Sequence, residues 1–184
     1  MTLWLLALAW AGSPPAARVL SDAECVGQLL ITMAPLESSA PIDVGGLLLV
    51  PPTMGTRSTE QTRAYLRALQ ARATTPLLVA SDMEGGRFNP LSDHEVLGTV
   101  PSALTLGRLS AEEAEAWGLR TGEALRDLGV NLDLAPVLDV AGDQGHIGRF
   151  ERSFSDDADV VVSHGGAFAR GLRTAGVGTI GKHY

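Results

Sequence analysis

Four short apolar runs recur along the chain, Val44–Val50, Pro76–Ala80, Val130–Val140 and Val177–Ile180; Pro51-Pro52 stops the first, and the other three deliver acidic or basic residues at their far ends. Segments long enough for a helix separate them. Strands joined by helix-length connections pair in parallel, with right-handed crossovers. This pattern constrains the chain more than any other, and it predicts an α/β fold. Functional groups in such folds collect at the C-terminal ends of the strands, where the loops are free to vary. Asp82, Asp139, Lys182 and His183 all follow apolar runs. With neighbouring strands about 4.8 Å apart, their side chains can share one mouth.

The connecting segments carry helix signals. Ser21 with Glu24 has capping-box spacing, and Val26, Leu29, Leu30 and Met33 recur on one face, so a helix is expected over 21–33, ended by Pro35. A second helix runs from Ser58 or Thr59 to about Arg72. Its expected apolar face is Ala64, Tyr65, Ala68 and Leu69, with Arg63, Arg67 and Arg72 on a solvated face. Ser110 with Glu113 opens a third, closed by Gly129. Ser155 opens a fourth, ending near Thr174 before Gly176. His94 falls in a loop and reads as solvated. His164 falls on a helix and reads as structural or solvated.

Composition narrows the function classes. The 184 residues carry 14 Lys and Arg against 21 Asp and Glu, a net charge of -7 with no basic stripe, so nucleic acid is not an expected partner. The single cysteine, Cys25, rules out an internal disulfide and a cysteine-based metal site, and reads as a core residue. The four histidines show no ligand spacing, so neither a metal nor an organic cofactor is implied. No nucleotide-binding glycine motif follows a strand. Residues 1–15 hold a short apolar core, Leu3–Leu8, then Ala9-Trp10-Ala11 and Ser13-Pro14-Pro15. They read as an export signal, too short for a membrane span, although no Lys or Arg precedes the core; a packed N-terminal helix is the alternative. Export to the periplasm or outside the cell is the expected localisation, with a cytoplasmic location the alternative.

Six pieces, in order over about residues 20–184, resemble one family. They are Val26-Gly27-Gln28-Leu29-Leu30, Val44-Gly45-Gly46-Leu47-Leu48-Leu49, Asp82-Met83-Glu84-Gly85-Gly86-Arg87, Ala135-Pro136-Val137-Leu138-Asp139-Val140, Glu151-Arg152-Ser153-Phe154 and Lys182-His183-Tyr184. The chain is similar to the N-terminal half of the family 3 glycoside hydrolase barrel, and most to its bacterial β-N-acetylhexosaminidase branch. The resemblance implies a (β/α)8 TIM-type barrel of which four strands are present. It implies sugar-binding roles for Asp82, Arg152, Lys182 and His183, and a substrate with terminal β-linked N-acetylglucosamine, for example from peptidoglycan fragments. Asp139 is divided between packing support and site; Asp133, in mid-strand, reads as a buried, hydrogen-bonded support. A structural ion pair of Asp82 with Arg87 or Arg152 is the plainer alternative.

Two departures matter. The family's acid/base pair and nucleophile come after the Lys-His-Phe/Tyr motif, so both are expected beyond Tyr184 and the chain alone is expected to be inactive. Pro90 stands where the branch typically places a sugar-binding arginine, which keeps a β-glucosidase-type relative and a non-catalytic sugar-binding half-barrel as alternatives. Half a barrel leaves two open edges, so self-association is expected.

Overall fold

A computed structural model describes residues 19–35, 42–51, 57–91 and 98–183. The expected export signal, His94 and Tyr184 lie outside them. Five strands form one parallel sheet in sequence order: β1 Ile31–Met33, β2 Gly46–Leu49, β3 Leu78–Ser81, β4 Leu132–Asp133 and β5 Gly178–Thr179. The helices are α1 Asp22–Gly27, α2 Thr59–Arg72, α3 Ala103–Leu106, α4 Ala111–Leu128, α5 Gly145–Arg149 and α6 Ala158–Thr174.

There are thus five strands where four were expected. The predicted helix over 21–33 stops at Gly27, and Ile31–Met33 pairs with Gly46–Leu48 as an edge strand. Its supposed apolar face is exposed at Val26, Leu29, Leu30 and Met33, as is Cys25, so that cysteine is not in the core. The third apolar run is strand only at Leu132–Asp133. It then leaves the sheet and touches β5's continuation once more, at the Val137–Lys182 bridge.

The capping signals explain the remaining helices. Capping boxes close the N-termini of α1, α2 and α4, and Gly129, at φ 99°, ends α4 in the left-handed conformation. The last helix begins two residues later than expected. Asp157 caps it, while Ser155 accepts a bond from the Asp157 amide instead.

The core lies between the sheet and the helices. Leu47, Leu49 and Val79 meet Leu66 and Leu69 of α2, Leu125 and Leu128 of α4, and Phe168 and Leu172 of α6. On α2 the buried face is Thr62, Leu66 and Leu69, one position round from the expected one, with Ala64 and Ala68 exposed. Arg63, expected to be solvated, pairs with Asp127 and donates from Nε to its carbonyl. On the opposite face Ile31, Leu78 and Met33 are 43 %, 47 % and 63 % exposed, while Ala80 and Leu132 on that face are buried.

Candidate functional site

After Ser81 the backbone leaves the sheet and turns back within a few residues. Gly85 and Gly86 have φ of 85° and 57°, and Gly85 pairs with Phe88 across the turn. A Cβ on Gly85 would lie 2.2 Å from the Pro101 carbonyl oxygen. The glycines therefore admit the chain's own next loop, rather than a bound group. Asp82 and Glu84, two residues apart, both reach the Lys182 ammonium.

The other side chains arrive through the register of the sheet. Val137 pairs with Lys182, and this brings Asp139 beside His183. Asp139 Oδ2 accepts from the His183 backbone N–H at 3.0 Å and lies 2.7 Å from its Nδ1. Burial works against the Asp139 charge, but the hydrogen bonds from His183 prevail and hold its carboxyl below the ordinary range. Lys182 bonds Asp82 and lies 2.6 Å from Glu84 Oε1.

Arg152 forms the centre. Its Nε and Nη2 donate to the two oxygens of Glu84 at 2.7 and 2.8 Å, a bidentate pair. Its Nη1 lies 3.0 Å from His146 Nδ1, its Nη2 3.2 Å from His183 Nε2, and its Cζ 4.3 Å from the centre of the Phe88 ring. Burial alone would raise the Glu84 carboxyl, yet the bonds from Arg152 and Lys182 and their charges hold it below its usual value. The neighbouring residues of Arg152 serve the same placement. Glu151, at φ 56°, accepts from the Ser102 hydroxyl at 2.8 Å. The Ser153 hydroxyl sits 2.6 Å from the Asp139 carbonyl, and Phe154 is buried in the core.

The structure thus gathers all four expected residues, Asp82, Arg152, Lys182 and His183, but pairs them differently. Arg152 orients Glu84, not Asp82, and four of its five N–H bonds point at protein partners. Arg87 lies over the Phe150 ring. Guanidinium N–H groups only donate, so Nε2 of His183 accepts where it faces Arg152, and Nδ1–H points to Asp139. Both ring nitrogens of His183 thus face protein partners, Arg152 and Asp139. Sequence reasoning passed over Glu84 and His146. The signal for Glu84 was present in its spacing two residues beyond Asp82; His146 gave none, because its contact with Arg152 depends on a turn through α5.

A gradient of exposure runs through the cluster. Glu84 and Arg152 side chains are 4 % and 10 % exposed, whereas Asp82 and His183 are 42 % and 43 %. A buried ion pair lies beneath a solvent-facing rim of carboxylate and imidazole, with the Lys182 ammonium, 17 % exposed, between burial and solvent. Among the described residues no group of three or more His, Cys, Asp or Glu could hold a metal ion, and no helix is long and apolar enough to cross a membrane.

Parallel strands in sequence order, with charged side chains gathered past their C-terminal ends, define a segment of a TIM-type α/β barrel and its mouth. Residues 26–184 match the Glycosyl hydrolase family 3 N terminal domain, and the chain belongs to that family. It is 32 % identical over 141 residues to a β-hexosaminidase of Photobacterium profundum, covering 77 % of this chain and 41 % of the relative. It is 40 % identical over 112 residues to the β-hexosaminidase LpqI of Mycobacterium tuberculosis, covering 59 % and 28 %. The fold is similar to a β-N-acetylhexosaminidase from Beutenbergia cavernae, with TM-score 0.80, 32 % identity, and 90 % of this chain and 54 % of that one covered. It is also similar to a β-N-acetylglucosaminidase from Paenibacillus, with TM-score 0.81, 30 % identity, and 90 % and 33 % covered. The chain spans less than half the length of the two β-hexosaminidases it matches.

Proposed function

We propose that this chain holds the sugar in a retaining glycoside hydrolase acting on terminal β-linked N-acetylglucosamine. The observation that carries the reading is the cluster of exposed Asp82 and His183 with the largely buried Lys182 over the buried Glu84–Arg152 pair. An ionised carboxylate accepts hydrogen bonds from two sugar hydroxyls, and the Lys182 ammonium donates to a third. The remaining N–H of Arg152 is a further donor. Asp139 acts through His183 and is a positioning residue, not a contact. The names of the relatives support N-acetylglucosamine as the ring.

The two carboxyl groups that a retaining mechanism needs belong, by the family resemblance, to segments following the Lys182-His183-Tyr184 motif. The 184-residue chain then binds without turnover. Export, and a substrate drawn from peptidoglycan fragments, complete the proposal. Calorimetric titration with N-acetylglucosamine and with glucose tests it: the acetamido sugar is expected to bind more tightly. Tighter binding of glucose would instead favour a β-glucosidase-type specificity, which the proline at position 90 permits.

A further inference from the structure

Two side chains at the ends of β4, Asn131 just before it and Asp133 its last residue, continue its pairing with β3 where the backbone ladder stops. At one end Asn131 accepts from the Val79 amide at 2.8 Å and donates to the Leu77 carbonyl at 3.0 Å. At the other, the last backbone bond runs from the Leu134 amide to the Ser81 carbonyl at 2.8 Å, after which β3 departs. The next inward amide, that of Met83, would be buried with nothing to receive it. Asp133 Oδ1 accepts it at 2.9 Å, taking the place of the missing backbone carbonyl. Asp133 and Met83 are both wholly buried.

We propose that Asp133 is a positioning residue for the candidate site: through the Met83 amide it fixes the peptide from which Asp82 and Glu84 project. The link to sugar binding rests on the function proposed above, whereas the positioning itself does not. Asp133 acts uncharged. Its Oδ2 is buried without a hydrogen-bond partner, as is the hydroxyl of its register neighbour Ser81. An ionised carboxylate with one oxygen in that state would be costly. Burial pushes the Asp133 carboxyl well up, and the nearby charges of Asp82 and Glu84 add to this; the Met83 bond and Lys182 oppose it without prevailing. A proton on Oδ2 leaves Oδ1 free to accept. The neutral group also adds no third negative charge beneath Asp82 and Glu84, which Lys182 and Arg152 already match.

The test compares the full chain with Asp133→Asn and Asp133→Ala. Asparagine keeps the accepting oxygen and is always neutral. Hydrogen exchange at the Met83 amide, read by NMR, is expected to be equally slow in wild type and Asp133→Asn, and about tenfold faster or more in Asp133→Ala. The dissociation constant for N-acetylglucosamine is expected to follow the same order. Unchanged Met83 protection in Asp133→Ala overturns the positioning role. Exchange in Asp133→Asn as fast as in Asp133→Ala overturns the neutral acceptor. If wild type binds no sugar while Met83 exchange follows the expected order, positioning stands and the proposed function falls.

Should Asp133→Ala not fold, the pH dependence of unfolding decides. A carboxyl raised in the fold stabilises fully below its unfolded value of about 3.9, and that contribution is lost as pH rises. The stability of Asp133→Asn relative to wild type is therefore expected to grow as pH rises above about 4. A flat difference would mean an ionised Asp133 and overturn the proposal.

Discussion

At the scale of single residues, the site is a problem in satisfying buried charge. Arg152 and Glu84 are both inside, and neither is affordable without the other. Removing one partner of such a pair typically costs about 3–5 kcal/mol, because the survivor is left charged and unpaired. Glu84→Gln and Arg152→Gln should each destabilise the chain on that order, and the double variant by clearly less than the sum, in a denaturant-unfolding cycle. The pH dependence has a defined sign. Glu84 is lowered in the fold, so its contribution is present above the unfolded value of about 4.3 and lost as pH falls through the folded one. Wild type should therefore lose stability relative to Glu84→Gln on acidification. Asp82, Asp139, Lys182 and His183 were legible as a group from their positions after apolar runs, whereas Arg152 was reached only through the family resemblance. Their pairing was not, because it depends on the Val137–Lys182 register and on the turn at Gly85.

At the scale of elements, α4 and α6 meet through glycine. A Cβ on Gly171 would lie 2.1 Å from the Glu115 carbonyl oxygen, and one on Gly118 2.1 Å from that of Phe168. Backbone cannot yield as a side chain end does. Gly171→Ala is expected to destabilise by roughly 1–3 kcal/mol through overpacking. Gly166 lies on the same helix, but a Cβ there meets only Arg170 Nη1 at 3.7 Å. Gly166→Ala should stabilise by about 0.5–1 kcal/mol, as helix propensity alone dictates. Thermal unfolding of the two variants gives opposite signs if the packing is as described. Helix ends were well marked in the sequence where a capping box or a left-handed glycine is local chemistry: Ser110 with Glu113, and Gly129. The edge strand was not. Leu29, Leu30 and Met33 fit a helical period, and Ile31–Met33 becomes a strand only because β2 lies beside it.

At the scale of the whole molecule, the sheet has one face covered by helices and one with Ile31, Met33 and Leu78 exposed. Among the described residues, its outer strands β1 and β5 each have one neighbour. Exposed apolar surface beside an unpaired edge favours association. Sedimentation velocity is expected to show concentration-dependent self-association, and Met33→Asp or Leu78→Lys to shift it toward monomer; a monomer at all concentrations would contradict this. The same asymmetry frames the site, since the charged rim stands at the C-terminal ends of β3 and β5, clear of the apolar face.

The central claim is that this rim grips a sugar ring, and calorimetry of Asp82→Asn beside wild type tests it most directly. Asparagine keeps the shape but removes the charge that strengthens bonds from sugar hydroxyls. Wild type is predicted to bind N-acetylglucosamine and Asp82→Asn to bind it about tenfold or more weakly, with an unfolding midpoint close to that of wild type. Equal affinity in the two proteins would contradict the account.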